Sequence, residues 1–191
     1  KALPLEEVID RDYSHLLEHL ETILSLHAAY TRRKREHHFL DYDDLLVFFH
    51  GLLQQFPEVR RRIASAYRYV MVDEYQDTNK LQAEILYRLA EGNRNIMVVG
   101  DDSQSIYAFR GADFRNIMDF PAMFAGTRII QLEENYRSTQ PVLNLTNIII
   151  ERAREKFSKR LFTRKPGGEL PQMIEGEDGN SQSRFVVQRG L

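Results

Sequence analysis

The sequence predicts an α/β fold built on a parallel sheet, preceded by an all-helical segment. Three observations predict it. From about residue 67, short apolar runs rich in β-formers alternate with helix-period stretches, as βα units do. These runs are nearly continuous in apolar character, as expected of strands covered on both faces. Residues 1 to about 66 show only helical spacing.

In the helical segment, Tyr13, Leu16, Leu17, Leu20, Leu24 and His27 fall on one apolar face. The run Arg32-Arg33-Lys34-Arg35 closes that stretch. Cations there favour a helix C-terminus, so the run is either a solvated helix end or a nucleic-acid-facing surface. Asp41 is placed to cap a helix carrying Leu45, Leu46, Phe49, Leu52, Leu53 and Phe56, and Pro57 stops or restarts it. Both apolar stripes read as core. The adjacent pair His37-His38 points two ways and reads as surface, and the histidines show no metal-ligand spacing.

The first strand, Tyr69-Val70-Met71-Val72, runs into Asp73-Glu74. Ligands of open α/β sheets sit beyond the carboxyl ends of the strands. There, one carboxylate can hold Mg²⁺ and the other can deprotonate water, although a solvated acidic turn reads the same way. Thr78 can cap a helix carrying Leu81, Ile85, Leu86 and Leu89, with Gly92 at its end. A second strand, Asn95 to Val99, ends in Gly100-Asp101-Asp102-Ser103-Gln104-Ser105. Gly100 permits a tight exit, and the Gln104 amide can donate to a phosphate oxygen. The loop Ile106-Tyr107-Ala108-Phe109-Arg110-Gly111 carries two aromatics and a cation, and Gly111-Ala112-Asp113 leads into a short helix closed near Pro121.

A third strand, Thr127 to Leu132, ends in Glu133-Glu134-Asn135-Tyr136-Arg137-Ser138, which places three polar clusters along one sheet edge. Beyond it the pattern gives a helix from around Pro141 to Phe157 and a turn at Pro166-Gly167-Gly168. A polar loop from Gly176 to Ser183 and a helix starting at Arg184 follow, the helix running toward Leu191.

Composition sets bounds on function. The chain of 191 residues is 42% hydrophobic and 28% charged, which suits a globular protein. No cysteine is present, so a disulfide framework and a Cys-based zinc site are excluded. No apolar run approaches the roughly 20 residues of a membrane span. The net charge of −2 provides no overall basic field, so any nucleic-acid contact comes from local placement.

The blocks VDEYQDT, VGDDSQSIYAFRGAD and LEENYRST resemble, in order and spacing, three consecutive motifs of the UvrD/Rep/PcrA branch of superfamily 1 DNA helicases. Leu40-Asp41-Tyr42-Asp43-Asp44-Leu45-Leu46 resembles a further block preceding them. The resemblance spans about Phe39 to Gly168. It implies a P-loop NTPase of RecA-like fold that couples ATP hydrolysis, with Mg²⁺, to 3′→5′ movement on single-stranded DNA and duplex unwinding in repair, replication or recombination. Implied partners are single-stranded DNA, single-strand/duplex junctions, and repair or replication proteins, in a cytoplasmic, nucleoid-associated setting. The implied division is 1–66 as the end of an accessory helical domain, 67–129 as the second half of the first motor domain, and 130–191 as the start of the second.

By the same resemblance, Asp73 helps bind Mg²⁺, Glu74 activates the attacking water, and Gln104 senses the γ-phosphate. Tyr136 stacks on adenine, and Arg137 reaches the γ-phosphate, with Glu133 and Glu134 able to pair with it when nucleotide is absent. Asp77 and Asn135 are structural. Tyr107, Phe109 and Arg110 line the single-strand channel, although the Tyr107 ring can equally be packed inside its loop. Relatives often carry Trp where Phe109 stands, so the grip on each base is weaker here. No GxxxxGK[ST] phosphate loop occurs in the sequence. The chain therefore reads as an internal fragment whose ATPase activity belongs to a larger parent. A helicase–nuclease subunit of the RecB/AddA type and a non-catalytic DNA-binding module are the alternatives.

Overall fold

The computed structural model describes residues 3–190. They fall into two compact units, one comprising residues up to Val70 together with Leu81–Ile96, the other Met71–Lys80 with the chain from Met97 onward.

The first unit is helical, as its sequence predicts: α1 (Leu5–Asp12), a 3₁₀ helix (Ser14–His19), α2 (Leu20–Glu36), α3 (Tyr42–Gln55), α4 (Pro57–Ala66) and most of α5 (Lys80–Ala90). Asp41 caps α3 as expected. Its carboxylate accepts from the Asp44 backbone N–H at 2.8 Å, while the Asp44 carboxylate accepts from the Asp41 N–H at 3.1 Å. Lys34 bridges both carboxylates at 2.7 and 2.6 Å, which holds the Asp41 carboxyl well below the usual carboxylate range. So Lys34, from the basic run, is committed to structure. Pro57 restarts the chain as the first residue of α4, where its missing N–H costs nothing.

Of the second expected stripe Leu53 alone is fully buried, while Leu45, Leu52 and Phe56 are exposed; Ile9, Ala83, Ile85 and Ala90 join Leu53 in the core. The stripe from Tyr13 to His27 is not core as expected. Tyr13 and Leu17 are exposed, and no residue of α2 is fully buried. The 3₁₀ segment explains this: at three residues per turn it breaks the helical phase that the spacing assumed.

The chain forms a two-stranded parallel sheet from β1 (Val70–Val72) and β2 (Ile96–Val98). Val70 N–H donates to Asn95 O at 2.9 Å and Val99 N–H to Val72 O at 2.8 Å. The third expected strand is absent. Thr127 N–H turns back to Phe124 O, no strand forms over 127–132, and Ile129, Ile130 and Leu132 are exposed. Apolar β-formers make a strand only where a neighbouring backbone offers a ladder, and the described residues supply none there. Pairing starts one step later, as a parallel bridge between Glu134 and Phe162.

Other boundaries shift. Thr78 does not cap α5: its hydroxyl donates to Tyr75 O at 2.6 Å, and the helix begins at Lys80. α6 (Arg115–Met123) ends two residues after Pro121, which lies inside its last turn. α7 (Gln140–Glu151) stops short of Phe157. α8 (Gly179–Gly190) begins inside the expected polar loop, because Asp178 accepts from Ser181 N–H at 2.7 Å and starts the helix early. The expected end of that helix at Leu191 lies outside the described residues.

Among the described residues no helix is long and apolar enough to cross a membrane.

Candidate functional site

The loop after β1 is built on a strained residue. Glu74 adopts the left-handed region, φ 50° and ψ 41°, which is unusual for a side chain other than Gly, Asn or Asp. The conformation is held from several sides. Asp73 Oδ1 accepts from Glu74 N–H at 2.9 Å, Tyr75 N–H donates to Val99 O at 3.0 Å, and Asp77 N–H donates to Glu74 O at 2.9 Å. The short 3₁₀ turn Tyr75–Asp77 then sinks into the core. The Tyr75 ring packs edge-on against Phe120 at 5.5 Å, and burial pushes its hydroxyl pKa up. Thr78 O accepts from Asn116 Nδ2 at 2.8 Å and from Asp113 N–H at 3.0 Å, which pins the loop to the start of α6.

The two candidate residues on the first and second loops are joined by one hydrogen-bonded chain. Gln76, fully buried, donates through Nε2 to Glu74 Oε2 at 2.8 Å and accepts through Oε1 from Asp101 N–H at 3.0 Å. Asp101 Oδ2 in turn accepts from Gln104 Nε2 at 2.8 Å. The loop rides so close to Gln76 that a Cβ at Gly100 would lie 2.6 Å from Gln76 Oε1 and 2.9 Å from Ile117 Cδ1. Gly100 thus serves a close approach rather than a tight turn.

The other side of the loop is neutralised by a residue far along the chain. Lys159 pairs with Asp101, and with Asp102 at 2.9 Å. Asp102 also accepts from Phe157 N–H at 3.1 Å. Burial would raise the Asp101 carboxyl, but its bonds to Lys159 and Gln104 outweigh it and hold the group below the usual carboxylate range. Burial likewise disfavours charged Lys159, and the two carboxylates reverse that, raising its pKa. Neither Gln76 nor Lys159 was marked by the sequence pattern. Gln76 lies inside the first block, and its place two residues after a charged pair was the available signal. Lys159 had none beyond its place in a basic stretch.

Tyr107, Phe109 and Arg110 form a separate cluster. The rings lie 5.9 Å apart, and the Arg110 guanidinium sits 5.2 Å from the Tyr107 ring and 5.4 Å from that of Phe109. Phe109 is 78% exposed and Tyr107 36%. Tyr136, 82% exposed, and Arg137 make no described side-chain contact with the Glu74–Gln104 chain. Their turn is set by Asn135, whose Oδ1 accepts from Arg137 N–H at 2.9 Å and Ser138 N–H at 2.7 Å. The expected pairing of Arg137 with Glu133 or Glu134 is not made. Glu133 accepts from Arg160 N–H at 2.7 Å, and Glu134 pairs with Arg164 at 3.4 Å, because the bridge to Phe162 brings those partners closer.

Residues 6–125 match the UvrD/REP helicase N-terminal domain. The chain belongs to this family. It is similar to the ATP-dependent DNA helicase PcrA of Staphylococcus epidermidis, at 37% identity over 169 residues, covering 88% of this chain. The PcrA proteins of Staphylococcus aureus strains Mu50 and NCTC 8325 are 37% identical over the same length. The chain spans 23% of the length of these curated relatives. The matched UvrD/REP segment contains the whole Glu74–Gln76–Asp101–Gln104 chain and the aromatic cluster. Asp73 fits the way Mg²⁺ is held in this kind of site. It is an exposed hard-oxygen donor. Mg²⁺ ordinarily takes one or two carboxylates and completes its shell with water and substrate phosphates.

Proposed function

We propose that this chain is part of an ATP-dependent DNA helicase that couples ATP hydrolysis to 3′→5′ movement on single-stranded DNA and to unwinding at single-strand/duplex junctions. The hydrogen-bonded chain from Glu74 through Gln76 and Asp101 to Gln104, in a UvrD/REP family member, carries this reading. It joins a candidate base to a candidate phosphate sensor. The proposed architecture is that of a RecA-like P-loop NTPase, with 1–66 closing an accessory helical domain, 67–129 completing the first motor domain and 130–191 opening the second. Proposed settings are DNA repair, replication or recombination with their protein partners, in the cytoplasm at the nucleoid.

In this reading Glu74 accepts the proton of the water that attacks the γ-phosphate, the usual task of a positioned carboxylate. Asp73 would hold Mg²⁺, which would supply charge neutralisation on the phosphate oxygens. Gln104 turns from Asp101 to a γ-phosphate oxygen. Arg137 offers a planar, permanently charged fork to the same group, and Tyr136 offers its open face to adenine. Phe109, with Tyr107 and Arg110 beside it, provides a stacking platform that accepts any base, as a motor on arbitrary sequence requires.

Glu74→Gln in the complete protein tests the reading. It should leave ATP affinity nearly intact and lower turnover by roughly 10²–10⁴-fold, the worth of a general base. Near-normal ATP hydrolysis would refute it.

A further inference from the structure

We propose that Gln76 is a positioning residue for Glu74, aligning the carboxylate that takes the proton and tying that alignment to the second loop. The inference rests on the reading of Glu74 as general base. The backbone N–H of Asp101 can only donate, so the Gln76 atom facing it is the acceptor Oε1. That fixes the amide's other end: the NH₂ group must face the carboxylates of Glu74, at 2.8 Å, and Asp77, at 3.4 Å.

Burial makes the arrangement unambiguous. Gln76 is 1% exposed, and Gly100 and Ser105 press on it from the second loop, Ser105 Oγ donating to Gln76 O at 3.4 Å. A flipped amide would set its NH₂ against the Asp101 N–H and turn its oxygen toward two carboxylates. One orientation alone satisfies every partner. Glu74 itself is exposed, on a backbone held in the left-handed region, so its side chain has little packing of its own to define a rotamer. Gln76 supplies the constraint that packing does not. With Oε2 engaged by Gln76, Oε1 is the oxygen available to a water. The same amide feels any shift of the Asp101 backbone, so movement of Gln104 on its Asp101 tether reaches the base through one side chain.

The test uses Gln76→Glu in the complete protein. This change keeps shape and the acceptor for Asp101 N–H but sets a carboxyl group, in place of the amide donor, against the carboxylates of Glu74 and Asp77. The expected result is a kcat for ATP hydrolysis lowered roughly ten- to hundredfold, the scale of a misplaced catalytic group, with KM for ATP moved less than about threefold. Gln76→Met, similar in volume and lacking the donor, is the second variant and replaces the first if that fails to fold. In the Glu74→Gln background neither change should lower turnover further, because a residue acting through Glu74 has nothing left to act on. Unchanged kcat in both variants while Glu74→Gln is inactive overturns the proposal and leaves the general base standing. Losses that multiply with that of Glu74→Gln also overturn it, since they mark a merely structural role. Near-normal turnover in Glu74→Gln alone overturns the general-base reading, and this proposal with it.

Discussion

Removing the Lys159 charge should destabilise the second unit. Lys159 is 15% exposed and bridges Asp101, 30% exposed, and Asp102, 4% exposed. Lys159→Met keeps the length and apolar stem of the side chain but leaves two adjacent carboxylates, one of them buried, without a cation. Breaking a buried pair by deleting one partner costs about 3–5 kcal/mol. Asp102 keeps its bond from Phe157 N–H, so the low end applies, about 3 kcal/mol. With a urea slope near ~2 kcal/mol/M this predicts a midpoint about 1.5 M lower. Adding Asp102→Asn to Lys159→Met should restore part of the loss, since the buried charge is gone.

The pH dependence provides a second readout. Asp101 is held low, so its contribution is present above the ordinary carboxylate pKa near ~4 and fades as pH falls toward the folded value. Lys159 is held high, so its contribution is present below about 10.4 and fades as pH rises past that. The pair thus stabilises the fold between roughly pH 4 and 10, and the acid limb should flatten in Lys159→Met. A midpoint shift under about 0.5 M, with an unchanged acid limb, would refute the reasoning.

Two further outcomes are expected. Phe109→Ala should weaken single-strand binding by about 1–3 kcal/mol in fluorescence anisotropy with a labelled oligothymidylate, while the melting temperature stays put because the ring is 78% exposed. A lower melting temperature with unchanged DNA affinity would instead make the ring part of the core. Gly100→Ala should lower stability by about 1–3 kcal/mol in thermal unfolding, as overpacking does, although Gly100 is exposed. A neutral result would mean that Gln76 can yield without loss.

Local chemistry made much of this chain legible in sequence. Asp41 and Asp44 form their cap within four residues, Pro57 acts on its own turn, and the β1 and β2 runs carry their own apolar signal. What failed depended on partners distant in the chain. Ile129, Ile130 and Leu132 have the composition of a strand, but a ladder requires a second backbone, which composition cannot supply. The stripe from Tyr13 assumed one helical phase, and a 3₁₀ segment changed it. At the candidate site the blocks marked Asp73, Glu74, Gln104, Tyr136 and Arg137. They did not reveal that Gln104 rests on Asp101, or that Lys159, 58 residues away from Asp101 in the chain, closes the group.

The backbone of Glu74 has a consequence for anyone selecting variants of this protein. A left-handed conformation costs an L-residue roughly 1–2 kcal/mol, and glycine escapes that cost. A library screened only for heat resistance or soluble yield would therefore enrich glycine at position 74 and report success. The enriched clones would be those whose carboxylate had been discarded. On the role proposed for Glu74, screens of the complete protein need an ATP-turnover gate, because thermal tolerance and the proposed chemistry would pull the sequence at this position in opposite directions.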